Sequence, residues 1–106
     1  MGERLQSLIA ELRRRFEALY GTRLVRLVLF GSQARGDAEP GSDIDVVVVL
    51  DGSVRPGEEI RRTLDPVAEL SLENNVVFSC AFVSRERFEN ELSPLLINVR
   101  REGVPV

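Results

Sequence analysis

The sequence contains no histidine, no lysine and no tryptophan, and its only cysteine is Cys80. Without histidine, the Ser–His–Asp and Cys–His nucleophile pairs and imidazole acid–base catalysis are excluded. Without lysine there is neither a Schiff base nor a P-loop lysine. One cysteine allows no intrachain disulfide and no cysteine zinc cluster. No run approaches the ~20 apolar residues of a membrane span. The start, Met1-Gly2-Glu3-Arg4, lacks the basic-then-apolar layout of a signal peptide, and Ser7 is out of step with a myristoylation signal after Gly2. A cytoplasmic location with a reduced thiol is the resulting expectation, with no membrane partner. Any chemistry must come from carboxylates, arginine, backbone N–H groups and a bound metal.

What is present suits one small domain spanning residues 1–106, with 43% hydrophobic residues to build a core. All 14 basic residues are arginine, against 17 acidic ones, a net charge of −3. That balance gives no bulk attraction to nucleic acid, so a nucleic-acid partner is not expected. Leu5, Leu8, Ile9, Leu12, Phe16 and Leu19 recur every three or four residues and predict a helix over 3–20, ended by Gly21. Its Arg13-Arg14-Arg15 run reads as a solvated face balanced by Glu11 and Glu17. Residues 24–30 predict a strand that stops at Gly31-Ser32, and residues 43–50 a central strand covered on both faces. A helix is expected over 58–73, with Ile60, Leu64, Val67, Ala68 and Leu72 on one side and kinked or split at Pro66. A third strand over 76–83 leads to Ser84, a cap for a helix from Arg85, and Ser93-Pro94 opens a last helix ending at Glu102. The fold class is α/β (α+β), a small mixed sheet flanked by helices.

The informative stretch is Gly31-Ser32-Gln33-Ala34-Arg35-Gly36, followed by Gly41-Ser42-Asp43-Ile44-Asp45. A glycine turn directly after a strand exposes unpaired N–H groups where a helical turn begins, and such N–H groups bind phosphate. Gly31 permits close approach, the Ser32 hydroxyl adds a contact, and Arg35 lies one turn on. By itself this could be a plain turn with Ser32 as its cap. Asp43 and Asp45, at i and i+2 of a strand, share a face about 7 Å apart. Two such anions at about 6 Å repel by ~3 kcal/mol at an effective dielectric near 20. A valine-rich strand gains nothing from that repulsion unless a cation relieves it. Mg²⁺, a hard ion held by one or two carboxylates together with substrate phosphates, is the expected cofactor. The competing account is a solvated strand start with Ser42-Asp43 as a turn cap. An anion cradle joined to a dication clamp favours a nucleotide triphosphate.

These residues resemble a known family. The pattern Gly31-Ser32, Ala34-Arg35-Gly36 and Ser42-Asp43-Ile44-Asp45 is similar to the signature of the minimal nucleotidyltransferases, the small branch of the DNA polymerase β-like superfamily. The resemblance implies the polymerase β-like nucleotidyltransferase fold. It also implies Mg²⁺-dependent transfer of a nucleoside monophosphate, AMP from ATP, to an acceptor hydroxyl. Catalytic and metal roles then fall to Asp43 and Asp45, and nucleotide binding to Gly31, Ser32, Arg35 and Ser42. Small members of the family occur with a helical HEPN-type partner protein as toxin–antitoxin pairs, so such a partner is expected. An acceptor-recognising domain is not. Val47 and Val49 follow the two aspartates on one face, and that face is expected to need cover from a partner or a homodimer. One departure stands out. The superfamily's third carboxylate has no counterpart in Val76-Val77-Phe78-Ser79-Cys80-Ala81-Phe82-Val83, and neither Glu73 nor Asp51 has a clear claim to replace it. The alternative function is therefore a catalytically degenerate nucleotide-binding module that neutralises its partner by contact.

Overall fold

The computed structural model describes residues 2–106. Helix α1 (Glu3–Tyr20) leads through a short 3-10 turn into strand β1 (Leu24–Phe30), the short helix α2 (Gly31–Arg35) and strand β2 (Ile44–Leu50). Helix α3 (Pro56–Asn74), strand β3 (Phe78–Ser84), helices α4 (Arg85–Asn90) and α5 (Pro94–Glu102) and a two-residue strand β4 (Val104–Pro105) complete the chain. The sheet order is β3-β2-β1-β4, with β1 antiparallel to both β2 and β4 and β2 parallel to β3. The sequence pattern does not announce β4. Pro105 lacks the N–H that a central strand requires, and the strand survives because it lies on an edge.

Strand alternation sends each side of the sheet into its own apolar cluster. Leu27 and Leu29, Ile44, Val46, Val48 and Leu50, and Phe78 and Phe82 pack with α1 and with Leu70 of α3. On the other side Val28, Val47, Val49 and Val83 pack with Phe88, Leu96 and Val99 of α4 and α5. The expectation that the Val47/Val49 face needs an outside partner is thus corrected. The chain's own C-terminal helices cover it, because Phe88, Leu96 and Val99 supply enough apolar side chains.

Pro66 does not split α3, which runs continuously from Pro56 to Asn74. The Pro66 carbonyl accepts a hydrogen bond from Arg15 Nη1 at 3.0 Å, which joins α3 to α1. The face turned inward carries Glu59, Thr63 and Leu70, with Val67 partly buried against the same cluster as expected, whereas Ile60, Leu64 and Leu72 are 51%, 59% and 84% exposed. A buried carboxylate on an inward face is tolerated only when paired. Glu59 accepts from the Tyr20 hydroxyl at 2.8 Å and pairs with Arg62 at 3.1 Å. The arginine run of α1 does pair with Glu11 and Glu17, and Arg15 reaches further to Glu69 and Glu73 on α3.

Ser84 and Ser93 cap α4 and α5 as their positions predict, accepting from the backbone N–H of Arg87 and Leu96 respectively.

Candidate active site

The site forms where β1 ends and β2 begins. Register sets Phe30, the last residue of β1, opposite Asp45. The chain turns at Gly31, with φ +71°, straight into α2. A Cβ built on Gly31 would meet Asp45 Oδ2 at 2.5 Å. Glycine is therefore required twice over, by the left-handed backbone and by the carboxylate packed against it. Gly36 ends α2, its N–H donating to the Ser32 carbonyl. The connection to β2 includes a turn in which the Ser42 N–H donates to the Glu39 carbonyl at 3.0 Å. Asp43 is exposed just before β2, and Asp45 is partly buried within it.

Among the described residues neither aspartate carboxylate accepts a hydrogen bond or forms an ion pair, and the Ser32 and Ser42 hydroxyls are also without hydrogen bonds. The capping role for Ser32 is therefore not the one seen. The helix cap position belongs to Phe30, and no side chain fills it. Burial pushes the Asp45 carboxyl above the ordinary aspartate range, the Asp43 charge raises it further, and the Arg35 guanidinium opposes both. Arg35 is near enough to be felt but is itself bound to Asp37 at 3.2 Å, leaving the aspartates open. With Arg35 tied to Asp37, the like charges of the pair are offset only in part, and an external cation would relieve the remainder.

Oxygen donors that lack internal partners fit a hard dication, but they are few. No group of three potential metal-ligating side chains occurs among the described residues. Register explains the shortfall. The residue of β3 opposite Asp45 is Ser79, which is exposed on the same face. A carboxylate there would complete a triad, and Ser79 is the position that sequence alone did not single out. Glu73 is committed to Arg15 at 3.6 Å, and Asp51 follows the opposite end of β2. Cys80 points into the first apolar cluster, where burial raises its thiol to about 12, so it is not a nucleophile at neutral pH. The basic residues of the C-terminal helices are largely engaged: Arg87 pairs with Glu91, Arg101 with Glu102, and Arg100 donates to the Phe88 and Glu91 carbonyls.

A cleft of about 970 Å³ adjoins this region through Gln33, Ser42 and Ile44 but is lined by neither aspartate. Residue parity explains the separation, because Ile44 faces the α1/α3 side and Asp45 the other.

A sheet layered between helices, with a glycine turn at the end of one strand beside two carboxylates at the start of the next, defines a class of α/β proteins. The comparisons narrow that class to one family. Residues 9–103 match the nucleotidyltransferase domain family, and the chain belongs to it. It is a nucleotidyltransferase. A relative from Methanocaldococcus jannaschii (strain ATCC 43067), named as a protein adenylyltransferase, is 33% identical over 85 residues, covering 79% of each chain. Two crystal structures share the fold. One, of a toxin–antitoxin with AMP-PNP, has a TM-score of 0.62 and 19% identity, covering 93% of this chain and 69% of that one. The other, from Sulfolobus solfataricus and named as a nucleotidyltransferase, has a TM-score of 0.58 and 20% identity, covering 95% of this chain and 83% of that one.

Proposed function

We propose that the protein transfers AMP from ATP to a hydroxyl of a partner protein, with Asp43 and Asp45 holding Mg²⁺ and Gly31, Ser32, Arg35 and Ser42 receiving the nucleotide. The observation that carries this reading is the close approach of the Asp45 carboxylate to Gly31. It sets the turn that would cradle the phosphates directly against the groups that would hold the cation. The relative named as a protein adenylyltransferase supports a protein acceptor, and the neighbour named as a toxin–antitoxin with AMP-PNP supports ATP and a partner chain. A helical HEPN-type protein is the partner class we favour.

In this reading the chain's residues have separate tasks. The N–H groups after Gly31 and the Ser32 and Ser42 hydroxyls orient the triphosphate. Arg35, released from Asp37 by the stronger charge of a phosphate, neutralises it. Asp43 and Asp45 hold the cation. When bound, that ion supplies charge neutralisation for the leaving pyrophosphate and for the attacking oxygen. The acceptor hydroxyl oxygen forms the new bond to the α-phosphorus, the α–β phosphoanhydride bond breaks, and the hydroxyl proton leaves to solvent.

Ser79 favours one competing account, a nucleotide-binding module that acts on its partner by contact without transfer. Incubation of the full chain with labelled ATP, Mg²⁺ and the co-purifying partner distinguishes them. Label retained on the partner through denaturing electrophoresis supports transfer; a stable complex without label supports the module. Isothermal titration addresses the site itself. Mg²⁺-dependent ATP binding is expected to vanish in the Asp43→Ala, Asp45→Ala double variant, and unchanged binding there would remove the assignment.

A further inference from the structure

Helix α3 carries an apolar row that neither the core nor the proposed site uses. Ile60, Leu64, Ala68 and Leu72 recur every four residues, and three of them are among the most exposed large hydrophobic side chains. At 100° per residue they form a single ridge, with Gly57 and Ser71 beside it. The ridge turns away from the Glu59–Thr63–Leu70 face that meets the core and from the Pro66, Glu69 and Glu73 positions that face α1. It therefore faces away from the core, with Leu72 at its C-terminal end beside the cleft lined by Leu5, Leu8 and Ile44.

We propose that this ridge is a self-association surface, on which α3 pairs antiparallel with α3 of a second copy about a two-fold axis at Leu64. Ridges of four-residue spacing interlock in the commonest class of helix packing, and the small Ala68 leaves room for the facing Ile60. Charge selects the second copy as occupant. Arg61 and Asp65 lie together on one flank of the ridge, and neither makes an ion pair or hydrogen bond among the described residues. The other charges of α3 near them are engaged: Glu58 with Arg55, Glu59 with Arg62 and Glu69 with Arg15. An antiparallel two-fold brings each flank onto the same flank of the other copy. Centred on Leu64, it brings Arg61 of one copy toward Asp65 of the other, and the reciprocal contact follows by symmetry. The surface is complementary to itself.

Sedimentation velocity of the full chain across the micromolar range tests this. The wild type is expected to show a concentration-dependent monomer–dimer equilibrium. Leu64→Glu is expected to be monomeric with an unchanged far-UV spectrum, since that side chain is outside the core. Arg61→Glu opposes like charges and should weaken the dimer about five- to tenfold, and Asp65→Arg added to it should restore most of the affinity. A wild type that stays monomeric throughout, as expected if a different protein covers the ridge, overturns the proposal. So does a dimer indifferent to Leu64→Glu, or a charge reversal that restores nothing. None of these positions touches Asp43, Asp45 or Gly31, so the outcome is separate from that of the transfer reaction.

Discussion

Gly31 joins backbone conformation to site chemistry in one residue. Its positive φ would cost a side-chain-bearing residue about 1–2 kcal/mol, and an added Cβ would also collide with Asp45 Oδ2. Gly52 has a similar φ of +81° but open space around it, at the far end of β2. The two positions separate strain from function. Gly52→Ala should lower Tm by roughly 4–15 °C, the backbone cost for a domain of this size, and leave ATP affinity intact. Gly31→Ala should lower Tm at least as much and weaken Mg²⁺–ATP binding more than about tenfold, a loss of ~1.4 kcal/mol from a displaced carboxylate. Thermal denaturation paired with titration calorimetry reads both. Equal binding losses in the two variants would mean that the Gly31–Asp45 contact has no functional weight.

At the scale of elements, periodicity located nearly every helix and strand but misjudged which way α3 faces. The row Ile60–Leu64–Ala68–Leu72 is the stronger apolar signal, and pattern reasoning assigns the stronger signal to the core. What overrides it is a partner no pattern reveals. Glu59 can lie inward because Tyr20, 39 residues away, donates to it. The same limit hid Ser79, whose place beside Asp45 depends on the β2–β3 register rather than on any local motif. By contrast, the glycine turn and both aspartates were legible because their spacing is local. The Tyr20–Glu59 bond has a measurable signature. Burial and the Glu59 carboxylate both push the Tyr20 hydroxyl above its ordinary value of 10.0. The folded state therefore keeps this proton where the unfolded chain loses it, so stability falls as pH rises above about 10. Tyr20→Phe should cost about 1.5–3 kcal/mol at neutral pH, the range for a hydrogen bond to a charged group, and should flatten the alkaline limb of a Tm-against-pH curve. An unaltered limb would place the titration elsewhere.

For the whole molecule, the two clusters around the sheet supply stability, and the site withdraws some of it. Asp45 is held with its carboxyl raised by burial and by Asp43, without a hydrogen bond to offset either. A carboxyl with a raised folded pKa binds its proton more tightly in the folded state. Its contribution is favourable at low pH and is lost as pH rises from the unfolded value of 3.8 through the folded one. At neutral pH the ionised side chain therefore opposes folding, by less than about 1 kcal/mol because water still screens it. Asp45→Asn removes the charge at nearly constant volume. It should raise the Tm of the ligand-free protein by up to a few degrees at pH 7 and by nothing near pH 3. Mg²⁺–ATP should reverse the order. Ligand at 100 times its dissociation constant adds about 2.7 kcal/mol to a protein that binds it, an increment the wild type should gain and Asp45→Asn should not. Differential scanning fluorimetry at both pH values, with and without Mg²⁺–ATP, shows whether the curves cross. A variant less stable than the wild type in every condition would make Asp45 a structural residue, whereas a crossing identifies a charge that folding tolerates because binding uses it.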